Sequence, residues 1–325
     1  MNTAKIDLHL HLDGSLNFMW TYQMAIKEGV ITNDTTYEQF YNEFYNWGDD
    51  PFKKFDYVCQ ILQTAENLNE AAYQLVKRLD EIGLIYAEIR FASQQHCLKG
   101  LTQKEAVEAV IAGVKRAEEE CDIKIGIINC LMHKGDSAKI NLKENLETVR
   151  VTKELLGKGV VGIDLAGFEN NCDFNEYAPV IAKAKEEGIP LTIHAGEMGE
   201  GQHVLDALNM KPDRIGHGIN SIQKPEYLQA VLESGVALEV CVSSNTYFGH
   251  TYATHPIRKL IDAGVKVTVN TDNMTFSQTD LVNEHSLLRQ YSLSKEELMQ
   301  CTLNAIDVAF CDEETKEYLR KKISE

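Results

Sequence analysis

The chain is poor in proline, with only 6 in 325 residues, and none of its 8 cysteines forms a CxxC pair. The cysteines (Cys59, Cys97, Cys121, Cys130, Cys172, Cys241, Cys301 and Cys311) are scattered. That spacing argues against a disulfide framework or a thiolate zinc site, and for reduced, mostly buried thiols in a cytoplasmic protein. No apolar run is long enough to span a bilayer. A strand pattern begins almost at Met1, leaving no room for a basic region and an apolar signal core. Positive charge is also scarce: 32 Lys and Arg against 49 Asp and Glu give a net charge of -17. Such a field repels phosphate backbones and anionic lipid, so neither nucleic acid nor membrane is an expected partner, and a highly phosphorylated substrate is disfavoured. There is no internal repeat and no low-complexity segment.

What is present is a regular alternation. Eight short apolar segments read as strands, at 6–12, 84–91, 123–131, 160–166, 190–194, 214–217, 237–242 and 265–271. Several are apolar nearly throughout, as in a parallel sheet covered by helices. Between them lie helical patterns. "TQKEAVEAVIAGVKRAEEE" opens on Thr102 with Glu105 three residues on, a capping box. "NEYAPVIAKAKEEG" and "PIRKLIDAG" each stop at a glycine before a strand. Eight strand–helix units at this length predict one domain over residues 1–325, a (β/α)8 TIM barrel. A doubly wound open sheet is the alternative, but histidines stand where its glycine-rich loop would be. About seventy residues separate the first two strands, so a helical insertion is expected there. Its aromatic-rich stretch "TTYEQFYNEFYNWGDDPFKKFDYVCQIL" suits an added layer, a lid over a planar ligand, or both.

The first strand poses the functional question. In "KIDLHLHLDGS", Asp7, His9, His11 and Asp13 share one face and Ile6, Leu8, Leu10 and Leu12 the other. An antiparallel surface strand with one wet face would give that pattern. The other strand ends argue against it. Barrel active sites form at the C-terminal ends of the strands, and these ends carry His9, His11 and Asp13, then "DLAGFE" with Gly167, "TIHAGE" with His194 and Glu197, "RIGHG" with His217, and "VNTDN" with Asp272 and Asn273. One such histidine would be unremarked; four of ten at these ends is a poor match to chance. Neutral imidazoles and a carboxylate suit zinc or a similar divalent ion. His9 and His11 can reach one ion together, with His194 and Asp272 arriving from across the barrel. Water in the remaining position would have its pKa lowered towards neutral. Glu197 is placed for acid/base work and His217 to orient or deprotonate that water. Metal-assisted hydrolysis is the chemistry this set implies.

In this order "HLHLDGSL", "GIDLAGFE", "HAGE", "RIGHG" and "VNTDN" resemble the adenosine deaminases of the metal-dependent hydrolase superfamily. "FKKFDY", "YAEIRFAS", "HPIRKLIDAGV" and "TLNAIDVAF" extend the resemblance over essentially the whole chain. It implies a (β/α)8 barrel holding one Zn2+ per chain and hydrolysing adenosine, and 2′-deoxyadenosine, to inosine and ammonia in purine salvage. By this resemblance His9, His11, His194 and Asp272 match the zinc ligands, and Glu197 matches the proton donor to purine N1. His217 matches the group beside the attacking hydroxide, and Gly167 the backbone contact to N3. Asp13 matches the contact to the ribose 5′-hydroxyl, and Phe52 and Phe55 an apolar gate over the sugar. Asp13 would accept from a hydroxyl and repel a 5′-phosphate, which favours a small-molecule purine nucleoside over a nucleotide. A monomer or weak dimer is expected.

The chain departs from that family at two positions. Many members have an aspartate contacting N7 where this chain has Asn273; a neutral amide can donate to N7 directly. Ser93 stands where a proline is common. The HxE…PCxxC zinc signature of other deaminases is absent. His96 and His133 follow strands and are candidates to line the site, whereas His203, His250, His255 and His285 read as surface or structural. Ser243, Ser244 and Asn245 are expected to end strand seven and line the pocket. Glu88, Arg90 and Asp164 read as a buried charged layer or as support for the metal. The rival functions are a related deaminase acting on adenine or a modified adenine nucleotide, and a non-catalytic purine-binding barrel.

Overall fold

The computed structural model describes residues 5–46, 53–169, 173–291 and 293–324. Eight parallel strands run in sequence order around one sheet: β1 Lys5–His11, β2 Leu84–Phe91, β3 Lys124–His133, β4 Val160–Gly167, β5 Leu191–Ala195, β6 Arg214–His217, β7 Ala237–Val240 and β8 Val267–Val269. The expected strands β2 and β6 have the bounds read from the sequence, and the expected (β/α)8 order holds. β8 is shorter than expected because the chain leaves the ladder at Asn270, whose Oδ1 accepts the Leu8 N–H at 3.0 Å. β7 also stops early. Ser243, Ser244 and Asn245 do not end that strand but lie in a helical turn, Val242–Asn245.

The seam between β8 and β1 is made by the residues after β8. Asp272 N–H donates to the His9 carbonyl and His11 N–H to the Asp272 carbonyl, both at 2.7 Å. Every residue of β1 is buried, so it is not a surface strand with one wet face. Ile6 and Leu8 pack on Ala305, Ile306 and Leu319 of the C-terminal helices, while Leu10 joins the main core.

Inside the barrel, below the candidate site, lies a closed charged layer. Arg90 bonds Asp164 at 2.8 Å and Glu239 at 2.9 Å; Arg214 bonds Glu239 at 2.6 Å and Glu88 at 2.5 Å. All five are fully buried. Buried charges persist only when paired in this way. The charged layer expected at Glu88, Arg90 and Asp164 is thus present, with Glu239 and Arg214 added.

Four helices fill the connection from β1 to β2: α1 Phe18–Lys27, α2 Tyr37–Tyr45, α3 Lys53–Ile61 and α4 Ala65–Glu81. On α4, Leu68, Ala71, Ala72, Leu75, Val76 and Leu79 form the apolar stripe that seats it. Thr64 caps its N-terminus. The aromatics of α1 and α2 pack on one another, with Phe18 at 5.2 Å from Phe40 and 5.0 Å from Phe44. α3 reaches the barrel mouth. The insertion is therefore both an added layer and a wall of the site. The Thr102–Glu105 capping box also forms.

Of the cysteines within the described residues, Cys130, Cys241 and Cys301 are buried and Cys59, Cys97, Cys121 and Cys311 only half-buried; all are unpaired. The expectation of mostly buried thiols therefore fails: three of the seven described are buried and four are half-buried. Cys172 lies outside the described residues. No helix among the described residues is long and apolar enough to cross a membrane.

Candidate active site

A cavity of about 640 Å³ opens at the C-terminal ends of the strands. It is lined by His11, Asp13, Phe55, Gly167, His194, Glu197, Asp272 and Asn273. His9 and His217 sit beneath it and are fully buried. Five strands and α3 thus deliver the expected residues to one place. Phe52 lies outside the described residues.

The donor atoms converge. One ligand atom from each of His9, His194, His217 and Asp272 lies within 4.8 Å of every other. His11 is not in that mutual group, yet its Nε2 is 3.3 Å from both His194 Nε2 and Asp272 Oδ1. Geometry alone therefore offers five donors, one more than the set read from the sequence. Two of the rings are aimed from behind. His9 Nδ1 bonds Glu239 Oε2 at 2.8 Å, and His194 Nδ1 lies 3.1 and 2.9 Å from the two oxygens of Asp164. With those nitrogens committed, the Nε2 atoms of His9 and His194 turn to the centre. A carboxylate behind a ligating imidazole is the usual support of a metal site.

Two observations test whether these residues fit a cation. The Nε2 atoms of His9 and His217 are buried and make no hydrogen bond. Such orphans are rare unless a ligand meets them. Burial also holds His11 and His217 well below the usual histidine range, which leaves neutral imidazoles, the ligand form. Burial would raise the Asp272 carboxyl, but the cluster of imidazoles around it, His9 foremost, holds it well below its ordinary value. The buried His/Asp cluster fits a metal ion.

Backbone strain marks the same spot. His217 (φ 61°) and Asp272 (φ 62°) are two of the four non-glycine residues with left-handed φ among those described. Such conformations cost energy and persist where the surroundings enforce them. Ser244 Oγ donates to Asp272 Oδ2 at 2.5 Å, and Asn245 Nδ2 lies 3.2 Å from His217 Nδ1.

Glu197 is buried beside this cluster, with Oε2 at 3.5 Å from His217 Nε2. Burial, then the Asp272 and Glu169 charges, push its carboxyl well above its ordinary value. A protonated carboxylic acid facing the cavity can deliver a proton. Burial likewise lifts Asp13 to about 7. Asp13 does not continue the strand but opens a short 3-10 turn, Asp13–Ser15. Gly167 has φ 110°, and a Cβ there would meet the His133 carbonyl oxygen at 2.8 Å, so glycine is required. Phe55 meets Phe276 edge-on at 4.7 Å.

A profile described as "Adenosine deaminase" matches residues 4–325. The chain belongs to the adenosine deaminase family. It is 39% identical to "Adenosine deaminase" of Enterococcus faecalis (strain ATCC 700802 / V583), covering 99% of this chain and 96% of that one. It is 37% identical to "Adenosine deaminase" of Clostridium perfringens (strain 13 / Type A), covering 99% and 98%. The crystal structure of an Arabidopsis N6-mAMP deaminase superposes with a TM-score of 0.88 at 24% identity, covering 99% of this chain and 98% of that one, a likeness of fold.

The structure gives some residues a place that the sequence reading does not. Glu239 was overlooked, although a lone acid in the apolar run "ALEVCV" signals a buried partner. Glu169, at the end of "DLAGFE", was quoted but given no role. Lys54 lines the cavity, donates to the Phe276 carbonyl at 2.7 Å and lies 4.9 Å from the Tyr45 ring centroid. His133 lines the cavity as one of the two histidines held in reserve; His96 does not, and its Nδ1 meets the Leu62 carbonyl at 2.9 Å. His255 is structural, as expected, with Nε2 at 3.1 Å from Asn245 Oδ1.

Proposed function

We propose that this chain, as one catalytic domain over residues 1–325, hydrolyses adenosine and 2′-deoxyadenosine to inosine and ammonia with one Zn2+ bound. The carrying observation is the convergence of His9, His194, His217 and Asp272, with His11 at 3.3 Å, beside a buried Glu197 in one cavity. Full-length relatives named adenosine deaminase support the same reading.

His9, His11, His194 and Asp272 would hold the metal, leaving His217 beside the reacting water. The metal, when bound, supplies Lewis acidity that brings the pKa of that water towards neutral. This chain's own residues do the rest. Glu197 gives its proton to N1 of the purine and so makes C6 electrophilic. His217 orients the attacking water, takes up one of its protons and passes it to the amino group. That group leaves as ammonia when the C6–N6 bond breaks, while Glu197 recovers the proton of the C6 hydroxyl. The Gly167 N–H fixes N3. Asn273 donates to N7: its Oδ1 is packed against Gly14, which leaves the amide nitrogen for the cavity. Asp13 takes the 5′-hydroxyl, and Phe55 covers the sugar. Asp13 argues against a 5′-phosphate, as does the net charge of -17. A free purine base would leave Asp13 buried without its partner.

The test is loss of the adenine absorbance band with adenosine, adenine and AMP, using zinc-loaded and chelated protein. Metal-dependent loss with adenosine supports the proposal. Loss with adenine or AMP alone overturns the specificity, and no loss with any of them overturns the deaminase reading.

A further inference from the structure

The backbone of residues 196–199 belongs to no helix or strand, yet its N–H groups are all bound. They converge on one side chain. Glu169 Oε2 accepts from Gly196 at 2.7 Å, and Oε1 accepts from Glu197 at 2.8 Å, Met198 at 2.6 Å and Gly199 at 2.7 Å. His203 Nδ1 adds a fifth contact at 3.2 Å. From the other side Asn220 Nδ2 donates to the carbonyls of Glu197 at 3.1 Å and Gly199 at 2.7 Å. The main chain of Glu197 is therefore gripped by its N–H and its C=O at once.

We infer that Glu169 is a positioning residue: its carboxylate fills a nest of four consecutive amides and so fixes the main chain from which Glu197 projects into the cavity. Glu169 is only 2% exposed and does not line the cavity, so it acts through Glu197 and not on substrate. Successive backbone N–H groups in such a turn bind an anion well. An amide cannot replace it: a glutamine at this place offers one acceptor oxygen, and its NH2 group must face at least one of the N–H groups. Burial raises the Glu169 carboxyl, and the hydrogen bonds from His203 and the amides more than offset that. The nest thus holds an ionised acid. A proton donor displaced by about 1 Å typically loses on the order of 100-fold in rate.

This role rests on the deaminase reading, so the wild type is assayed with adenosine first. E169Q is then expected to lower kcat by about 100-fold with KM and bound metal unchanged. In an E197Q background the same substitution should cost almost nothing more, since it acts through a group already removed. If E169Q alone leaves kcat intact, or lowers it as much in the E197Q background, the positioning role is wrong. If E169Q does not fold, N220A on the opposite side of the loop decides: a fall in kcat at constant KM supports the inference, and unchanged kcat overturns it. A wild type with no turnover defeats the deaminase reading and this role together; an active wild type with an unimpaired E169Q defeats this role alone.

Discussion

Asp272 is bound to His9 through the backbone, its N–H donating to the His9 carbonyl at 2.7 Å, while its Oδ1 faces the Nε2 of the same residue at 3.6 Å. The seam that closes the barrel and the donor set are thus one piece of structure. The proposed metal site needs β1 and the end of β8 to meet, and a bound ion would in turn tie that seam. Asp272→Ala keeps the backbone bonds and removes the oxygen. We expect zinc content to fall well below one per chain and activity to fall by more than about 100-fold, together. Metal analysis beside the adenosine assay checks this; full zinc with lost activity would take Asp272 out of the ligand set.

Glu239 joins the charged layer to the site, since the carboxylate that bonds Arg90 and Arg214 also holds His9. Glu239→Gln keeps the volume but leaves two buried guanidinium groups short of a counter-charge. Losing one member of such a buried pair costs about 3–5 kcal/mol. The His9 ring also loses its anchor, which should weaken zinc binding about 10- to 100-fold. Denaturant melts and a zinc-competition titration measure the two effects separately.

The contrast between Glu239 and His194 explains how far the sequence could be read. The strand order, the helical insertion and the rim histidines were legible because each depends on local pattern: apolar runs, turn glycines, and polar residues at the C-terminal end of a strand. Glu239 was not, since its role depends on Arg90, Arg214 and His9 from three other strands. Glu169 was quoted in its motif yet unassigned, because nothing local says that the amides of residues 196–199 will gather around it. The early end of β8 escaped too, as it follows from a side chain of Asn270 replacing a backbone acceptor. His217 shows the other limit: four mutually close donors include it, so distances in the chain alone do not separate ligand from water partner.

Glu197→Gln tests the proton donor without disturbing volume. The amide can donate a hydrogen bond but cannot give up a proton. We expect zinc to remain at one per chain and kcat to fall by about 100- to 10,000-fold, the usual worth of a positioned acid. Unchanged turnover would reassign the donor.

The His203–Glu169 pair predicts a pH-dependent contribution to stability. The hydrogen bond to Glu169 raises the folded His203 pKa above its ordinary 6.5. A raised folded value means that protonated His203 stabilises the fold fully below the unfolded pKa, and that this is lost as pH rises through the folded pKa. His203 is only half-buried, so solvent limits the effect to about 1 kcal/mol or less. His203→Gln should therefore lower the melting temperature in mildly acidic buffer and make little difference in alkaline buffer. An equal loss at both would mean that packing on Phe174, 5.1 Å away, is what the imidazole supplies.

Gly14 sets the orientation of Asn273. A Cβ at Gly14 would stand 1.7 Å from Asn273 Oδ1 and 2.8 Å from its Cβ, so alanine cannot fit unless the amide moves. The Thr275 N–H also donates to the Gly14 carbonyl at 3.0 Å, which keeps the two segments from separating. Gly14→Ala should destabilise the fold by about 1–3 kcal/mol through overpacking. It should also displace the donor proposed for N7. That second effect can be read apart from the first by comparing adenosine with 7-deazaadenosine, which has no acceptor at that place. A single hydrogen bond of this kind is worth about tenfold. The wild type should favour adenosine by about that factor, and both Gly14→Ala and Asn273→Ala should narrow the gap by slowing adenosine alone. If both variants slow the two substrates equally, the Asn273 amide does not meet N7, and its contact with Gly14 serves only to pack the end of β8 against the turn after β1.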